Sequence, residues 1–312
     1  MQKRILEMPT KRYQKLPAWL MILLACGMVQ GFMLVGGLLA GMVFLLFLLF
    51  LLFMIILRAG DTSVLSHLSS MMNGLYFQLA CFAFFSLTVM AWVKWYERRP
   101  LLSLGFYKDK WFFEILKGWL IGTFLFALSV GLSYLLGGLA FKGFDFSPKT
   151  LCYVIGIIPL WFIQGGTEEL LTRGWLLPLI AKRSHLATAI IISSSLFGMM
   201  HLANDHVTVL SVVSIILVGI FMALYMLKTD NIWGVAGIHG AWNFTQGNLC
   251  GLAVSGQASG PSILQFDSKV GAPEWLSGGA FGTEGSLVAS LVLLFGILIL
   301  AWRFKREDSG KK

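Results

Sequence analysis

The sequence predicts an all-α polytopic membrane protein of about eight transmembrane helices with both termini cytoplasmic. Three observations carry that expectation. Of 312 residues, 57% are hydrophobic and only 12% charged, against about 25% charged in a soluble domain. The apolar residues form long runs, and about 20 such residues suffice for one crossing. The basic residues gather at the ends of those runs, where orientation signals sit. The formal charge of +9 therefore points to membrane lipid as a partner and not to nucleic acid.

The runs fall at 18–57, 72–93, 112–141, 151–181, 186–201, 207–227, 232–250 and 286–302. The first is long enough for two crossings, and Gly36-Gly37 could mark a break within it. It is also far too long for a cleaved leader and reads as a retained span. If it crosses once, the cytoplasmic segments hold 18 of the 24 Lys and Arg, with Lys117 and Arg173 inside spans and only Arg58, Lys142, Lys149 and Lys269 outside. Two crossings would export the Lys94–Lys110 basic cluster and spoil that asymmetry. The expected organisation is a basic cytoplasmic tail over 1–17, one multi-span membrane domain over 18–303 with its core at about 150–250, and a cytoplasmic tail over 304–312. The Gly-, Ser- and Pro-rich segment 251–285 reads as an external or partly re-entrant loop. Cys26, Cys81, Cys152 and Cys250 lack CxxC spacing, so neither a disulfide framework nor a cysteine metal site is expected.

Between Lys149 and Lys182 the only charged side chains are Glu168, Glu169 and Arg173. Each charge at a bilayer centre costs roughly 2.5–3.5 kcal/mol on insertion scales, so such residues are functional or tightly paired. Residues four apart share a helical face. Glu169 and Arg173 can therefore pair, leaving Glu168 for chemistry; the alternative is that both glutamates share Arg173 and only lock helices. Phe197-Gly-Met-Met-His201 ends the short fifth run, and His239-Gly-Ala-Trp-Asn243 places an imidazole and a carboxamide on one face of the seventh. Each group alone fits a structural role, since polar residues also join helices within membranes. Together they offer more. A carboxylate and a histidine can activate a water, and imidazole and amide N–H groups can stabilise an oxyanion. Gly165, Gly166, Gly198, Gly240 and Ala241 allow the close helix approach that such convergence needs.

Glu168-Glu169-x-x-x-Arg173, Phe197-x-x-x-His201 and His239-x-x-x-Asn243 together resemble, in order and spacing, the motifs of the CPBP intramembrane proteases. That family includes the type II CAAX prenyl endopeptidases and Abi-type proteins linked to bacteriocin processing and immunity. The resemblance covers about 150–250. Glu97-Arg98-Arg99…Ser103-Leu104-Gly105 is also similar to the family, and Ser277-Gly278-Gly279…Phe281-Gly282-x-Glu284-Gly285-Ser286 resembles a bacterial subgroup. The resemblance implies an endopeptidase acting on a peptide or protein substrate at the membrane. Glu168 and His201 would activate water, His239 and Asn243 would stabilise the oxyanion, and Glu169 with Arg173 would support the site. The subgroup implies a bacterial plasma membrane, where a prenylated CAAX peptide is not the expected substrate.

The family is often described as metalloprotease-like, and Glu168, His201 and His239 are plausible zinc ligands by type. No HExxH helix is present, and Asn243 suits an oxyanion better than zinc, so a metal-free reaction with no cofactor is the favoured expectation. His206 could extend a metal site, but a solvated turn explains it more simply. His67 and His185 read as interfacial residues, Glu114 and Lys117 as an interfacial pair, and Glu284 as part of loop structure or substrate contact. Two other functions compete: a non-catalytic scaffold or immunity factor of the same fold, and a transporter. The absence of a sequence repeat weighs against the transporter.

Overall fold

Each of the eight apolar runs folds into a helix in the computed structural model, which describes residues 3–7, 12–13, 15–57 and 74–309. Arg58, His67, the first two residues of the 72–93 run, and parts of both tails lie outside the described residues. The helices are α1 (Ala18–Leu57), α2 (Leu75–Ala91), α3 (Trp111–Leu135), α4 (Pro148–Glu169), α5 (Leu186–Met200), α6 (Val209–Thr229), α7 (Trp233–Phe244) and α8 (Leu287–Ser309). Wider π-turns extend α2 through Trp92–Tyr96, α4 through Leu170–Leu176 and α7 through Thr245–Leu249. A last stretch, Leu177–Ala181, completes the α4 rod.

By length and composition, six helices among the described residues can cross a membrane: α1, α2, α3, α4 with its continuation, α6 and α8. The other two expected crossings correspond to α5, with 15 residues, and α7, with 12. α1 is one unbroken 40-residue helix, about 60 Å long at 1.5 Å per residue. Gly36-Gly37 is therefore no break. A Cβ at Gly36 would lie 2.6 Å from Phe85 Cδ1 and 2.9 Å from the Phe85 backbone, so the glycine admits α2 alongside α1.

The 112–141 run is not helical throughout. α3 stops at Leu135, and Gly137 adopts φ +81°, a backbone state that L-residues resist. Beyond it, β1 (Leu139–Phe144) pairs antiparallel with β2 (Leu264–Ser268), with Phe141 opposite Phe266. This two-stranded ribbon ties the 251–285 segment to the helical body. The start of α4 is set by Ser147, whose side chain accepts from the Thr150 amide, followed by Pro148 in the first turn; Pro there lacks only an N–H that would have no helical partner.

α7 is the axis of the molecule, and every residue from Gly234 to Phe244 is buried. It packs between α3 and α4. A Cβ at Gly122 would meet Ile238 O at 2.2 Å, one at Gly165 would meet Gly240 N at 2.7 Å, and one at Gly240 would meet Phe162 Cα at 2.9 Å. Small residues thus bring three backbones into contact, as expected for Gly165 and Gly240.

A buried polar network lies under the π-turns of α4. Glu97 Oε2 accepts from Arg99 Nε at 2.5 Å, while its Oε1 accepts from Trp175 Nε1 and the Tyr13 hydroxyl, each at 2.8 Å. Arg99 Nη1 donates to Ser103 Oγ at 2.6 Å. Burial raises the Tyr13 hydroxyl pKa above its ordinary value, and the adjacent Glu97 carboxylate adds to that. The Glu97–Ser103 junction is therefore a buried brace between the N-terminal segment and α4.

Candidate active site

Glu168 and Glu169 are the last residues of α4 before its π-turns. Glu169 is fully buried and its Oε1 accepts from Arg173 Nη1 at 3.1 Å. The expected i,i+4 pair is formed, and no bond joins Arg173 to Glu168. The guanidinium also donates to Thr172 Oγ1 at 2.6 Å, and its carbon lies 4.4 Å from the Phe197 ring centroid. A Cβ at Gly219 of α6 would sit 2.8 Å from Arg173 Nη2, so glycine there opens space for the cation.

The same Glu169 oxygen lies 2.9 Å from His239 Nδ1. Glu169 thus does more than pair with Arg173: it fixes the imidazole on α7. A carboxylate cannot donate, so the bond takes the proton of Nδ1. The other ring nitrogen, Nε2, points toward Glu168, at 3.4 Å from its Oε2. That oxygen forms no hydrogen bond and is buried. Glu169 Oε2 is likewise buried without a hydrogen bond, but Glu169 already holds Arg173 and His239 through Oε1, whereas no side-chain hydrogen bond reaches Glu168 among the described residues.

Asn243, one turn beyond His239, donates from Nδ2 to Gln164 Oε1 at 2.8 Å. Gln164 was not among the residues singled out from the sequence. Its signal was available, since it lies four residues before Glu168 and so shares its helical face. An amide carries two N–H bonds, so Asn243 retains one after serving Gln164.

His201 caps the C-terminus of α5 and is half-buried. Its Nδ1 lies 2.8 Å from Phe197 O, and the Phe197 ring packs edge-on against both His201 and His239, at centroid distances of 4.9 and 5.8 Å. The Phe197-x-x-x-His201 motif thus orients two imidazoles around one ring.

Glu168, His201, His239 and Asn243 line a single cavity of about 250 Å³, together with Gln164. The roof includes Val254–Ser259, a loop pinned from several sides. Asn204 donates to Ser255 O at 3.0 Å, and Gln257 donates to Asp205 at 3.3 Å. Asn248 donates to the carbonyls of Ser259 and Pro261 while accepting from Trp161 Nε1 at 2.6 Å. Glu284 also lines the cavity. His206 and His185 are exposed and stand apart from the cavity lining, and Lys117 pairs with Glu114 at 2.8 Å. Among the described residues, no three His, Cys, Asp or Glu side chains converge as a metal site requires.

Residues 150–245 match the family model described as type II CAAX prenyl endopeptidase Rce1-like. The matched segment contains all three motifs, so the resemblance to the CPBP/CAAX proteases drawn from them stands on a second footing. No curated protein and no solved structure matches the chain.

Proposed function

We propose that the chain is an intramembrane endopeptidase of the CPBP/CAAX type, cutting a membrane-associated or membrane-delivered peptide with water activated by Glu168 and His201. The observation that carries this reading is the buried, unpartnered Oε2 of Glu168 in a cavity shared with His201, His239 and Asn243. Support comes from the protease-family match over 150–245. A buried polar atom without a partner costs about 1–3 kcal/mol, and a reacting water or substrate group would supply the missing contact.

In the proposed reaction, Glu168 takes a proton from water as the oxygen attacks the peptide carbonyl carbon. His201, its Nδ1 held at Phe197 O, orients that water through its remaining ring nitrogen. The carbonyl oxygen becomes an oxyanion, received by the free Asn243 N–H and by His239 Nε2–H. Since Nδ1 already donates to Glu169, the His239 role requires both ring nitrogens to carry protons. Glu168 and Glu169 flank the ring and would balance that charge. Glu168 then passes its proton to the leaving nitrogen as the C–N bond breaks. Each step uses this chain's own side chains.

The proposed topology keeps both termini cytoplasmic in a bacterial plasma membrane, with α5 and α7 as short embedded helices that deliver His201 and His239. It retains the single membrane domain over 18–303. The reading is tested by membrane proteomics comparing wild type with Glu168→Ala. New peptide termini that vanish in the variant are expected, and identical terminomes would favour a non-catalytic scaffold or immunity factor. Activity of the purified protein before and after chelation tests the metal-free assignment; retained activity is the expected result.

A further inference from the structure

Glu284 lies in the loop before α8, far from the motifs in sequence, yet it lines the same cavity as Glu168 and is only 5% exposed. Both of its side-chain hydrogen bonds fall on Oε1, from the Ser255 amide at 2.5 Å and the Ser255 hydroxyl at 2.9 Å. Ser255 adopts φ +49°, an uncommon state for a residue with a side chain, so these bonds hold the roof loop in place. One acceptor oxygen is enough for that anchoring, and a glutamine would supply it. The carboxylate adds a second oxygen and a charge. No Lys, Arg or His among the described residues pairs with Glu284, whereas Arg173 already serves Glu169. The cavity region thus carries three carboxyl groups, Glu168, Glu169 and Glu284, and its cations, the Arg173 guanidinium and the doubly protonated His239 of the proposed reaction, face Glu168 and Glu169 and not Glu284. A buried carboxylate is costly unless a cation faces it.

We propose that Glu284 is a specificity-determining residue that receives a basic side chain, Lys or Arg, of the substrate peptide close to the scissile bond. This rests on the peptidase reading for its meaning in cleavage, but not for its test in binding. Peptide entry would place the cation against Glu284 Oε2 while Oε1 keeps its hold on Ser255. The charge is thereby matched only when the correct peptide is present, which makes selection a difference in electrostatic pairing.

The test uses the full-length protein in detergent with two probes, acetyl-Leu-Ala-Lys-Ala-Leu-amide and its norleucine twin, which differ only in the ammonium group. Thermal unfolding is followed for wild type, Glu284→Gln and Glu168→Gln. The lysine peptide is expected to raise the melting temperature of wild type and Glu168→Gln more than its twin does. Glu284→Gln, which keeps an acceptor for Ser255, is expected to lose that difference. A chymotryptic digest of soluble cell extract, incubated with the same proteins and read by mass spectrometry, adds the cleavage arm. Wild-type cuts should be enriched several-fold for Lys or Arg near the new terminus, and Glu284→Gln should lose the enrichment. Equal stabilisation by the two peptides in wild type, a difference that survives in Glu284→Gln, or cuts without basic enrichment overturns the proposal. A charge-dependent shift with no cutting by any protein upholds the Glu284 site and instead overturns the peptidase reading.

Discussion

Two buried carboxylates, Glu97 and Glu168, meet guanidinium chemistry in different ways. Glu97 is fully subscribed: Arg99 occupies Oε2, and Trp175 and Tyr13 share Oε1. Glu168 has a buried Oε2 with no hydrogen bond, and the nearby Arg173 is held by Glu169 instead. Only Glu168 lies within the segment that matches the protease family, yet both carboxylates are almost fully buried. What separates them is partner accounting. A carboxylate held by several side-chain hydrogen bonds braces the fold, whereas one that makes none and lines a cavity beside an imidazole is available for reaction.

The sharpest way to break this contrast is to remove one charge at each site. Glu168→Gln is expected to lower peptide cleavage by about 10²–10⁴-fold, the range for loss of a general base, with little change in thermal unfolding. Next in size is the reverse pattern at the brace. Arg99→Met leaves Glu97 buried without its cation and should cost about 3–5 kcal/mol of stability, read as a lowered melting temperature in detergent. Asn243→Ala is expected to reduce kcat by about 10²–10³-fold if it removes an oxyanion donor, with KM nearly unchanged; an equal rise in KM would instead mark a substrate-binding role. Gln164→Leu should have the smallest effect, roughly a five- to tenfold loss in kcat for one neutral positioning hydrogen bond. Because Gln164 acts through Asn243, combining it with Asn243→Ala should add little further loss.

The apolar runs were legible because lipid demands apolar helices, but six of them are long enough to cross, and the short lengths of α5 and α7 and the strand at the end of the 112–141 run were not. The motif residues were legible because i,i+4 spacing defines a face, so Glu169–Arg173 and His239–Asn243 could be paired without coordinates. The same spacing pointed to Gln164 from Glu168, but an uncharged glutamine raised no energetic alarm. Contacts between distant segments were not legible. Nothing in the local pattern joins Phe141 to Phe266, brings Glu284 to Ser255, or sends Trp175 to Glu97. The Gly36-Gly37 pair shows the same limit: glycine signals a need for space, but only the approach of Phe85 reveals that the space serves packing. For Glu169, spacing identified the bond to Arg173 but not the second one to His239, which comes from a different helix.

The most direct test places Glu168→Gln and Glu97→Gln side by side, with cleavage per folded molecule and thermal unfolding measured on the same preparations. Cleavage lost at Glu168 with an unchanged melting temperature, and a lowered melting temperature at Glu97 with cleavage retained by the folded fraction, is the predicted result. Wild-type cleavage by Glu168→Gln would contradict the assignment of the open carboxylate as the catalytic base.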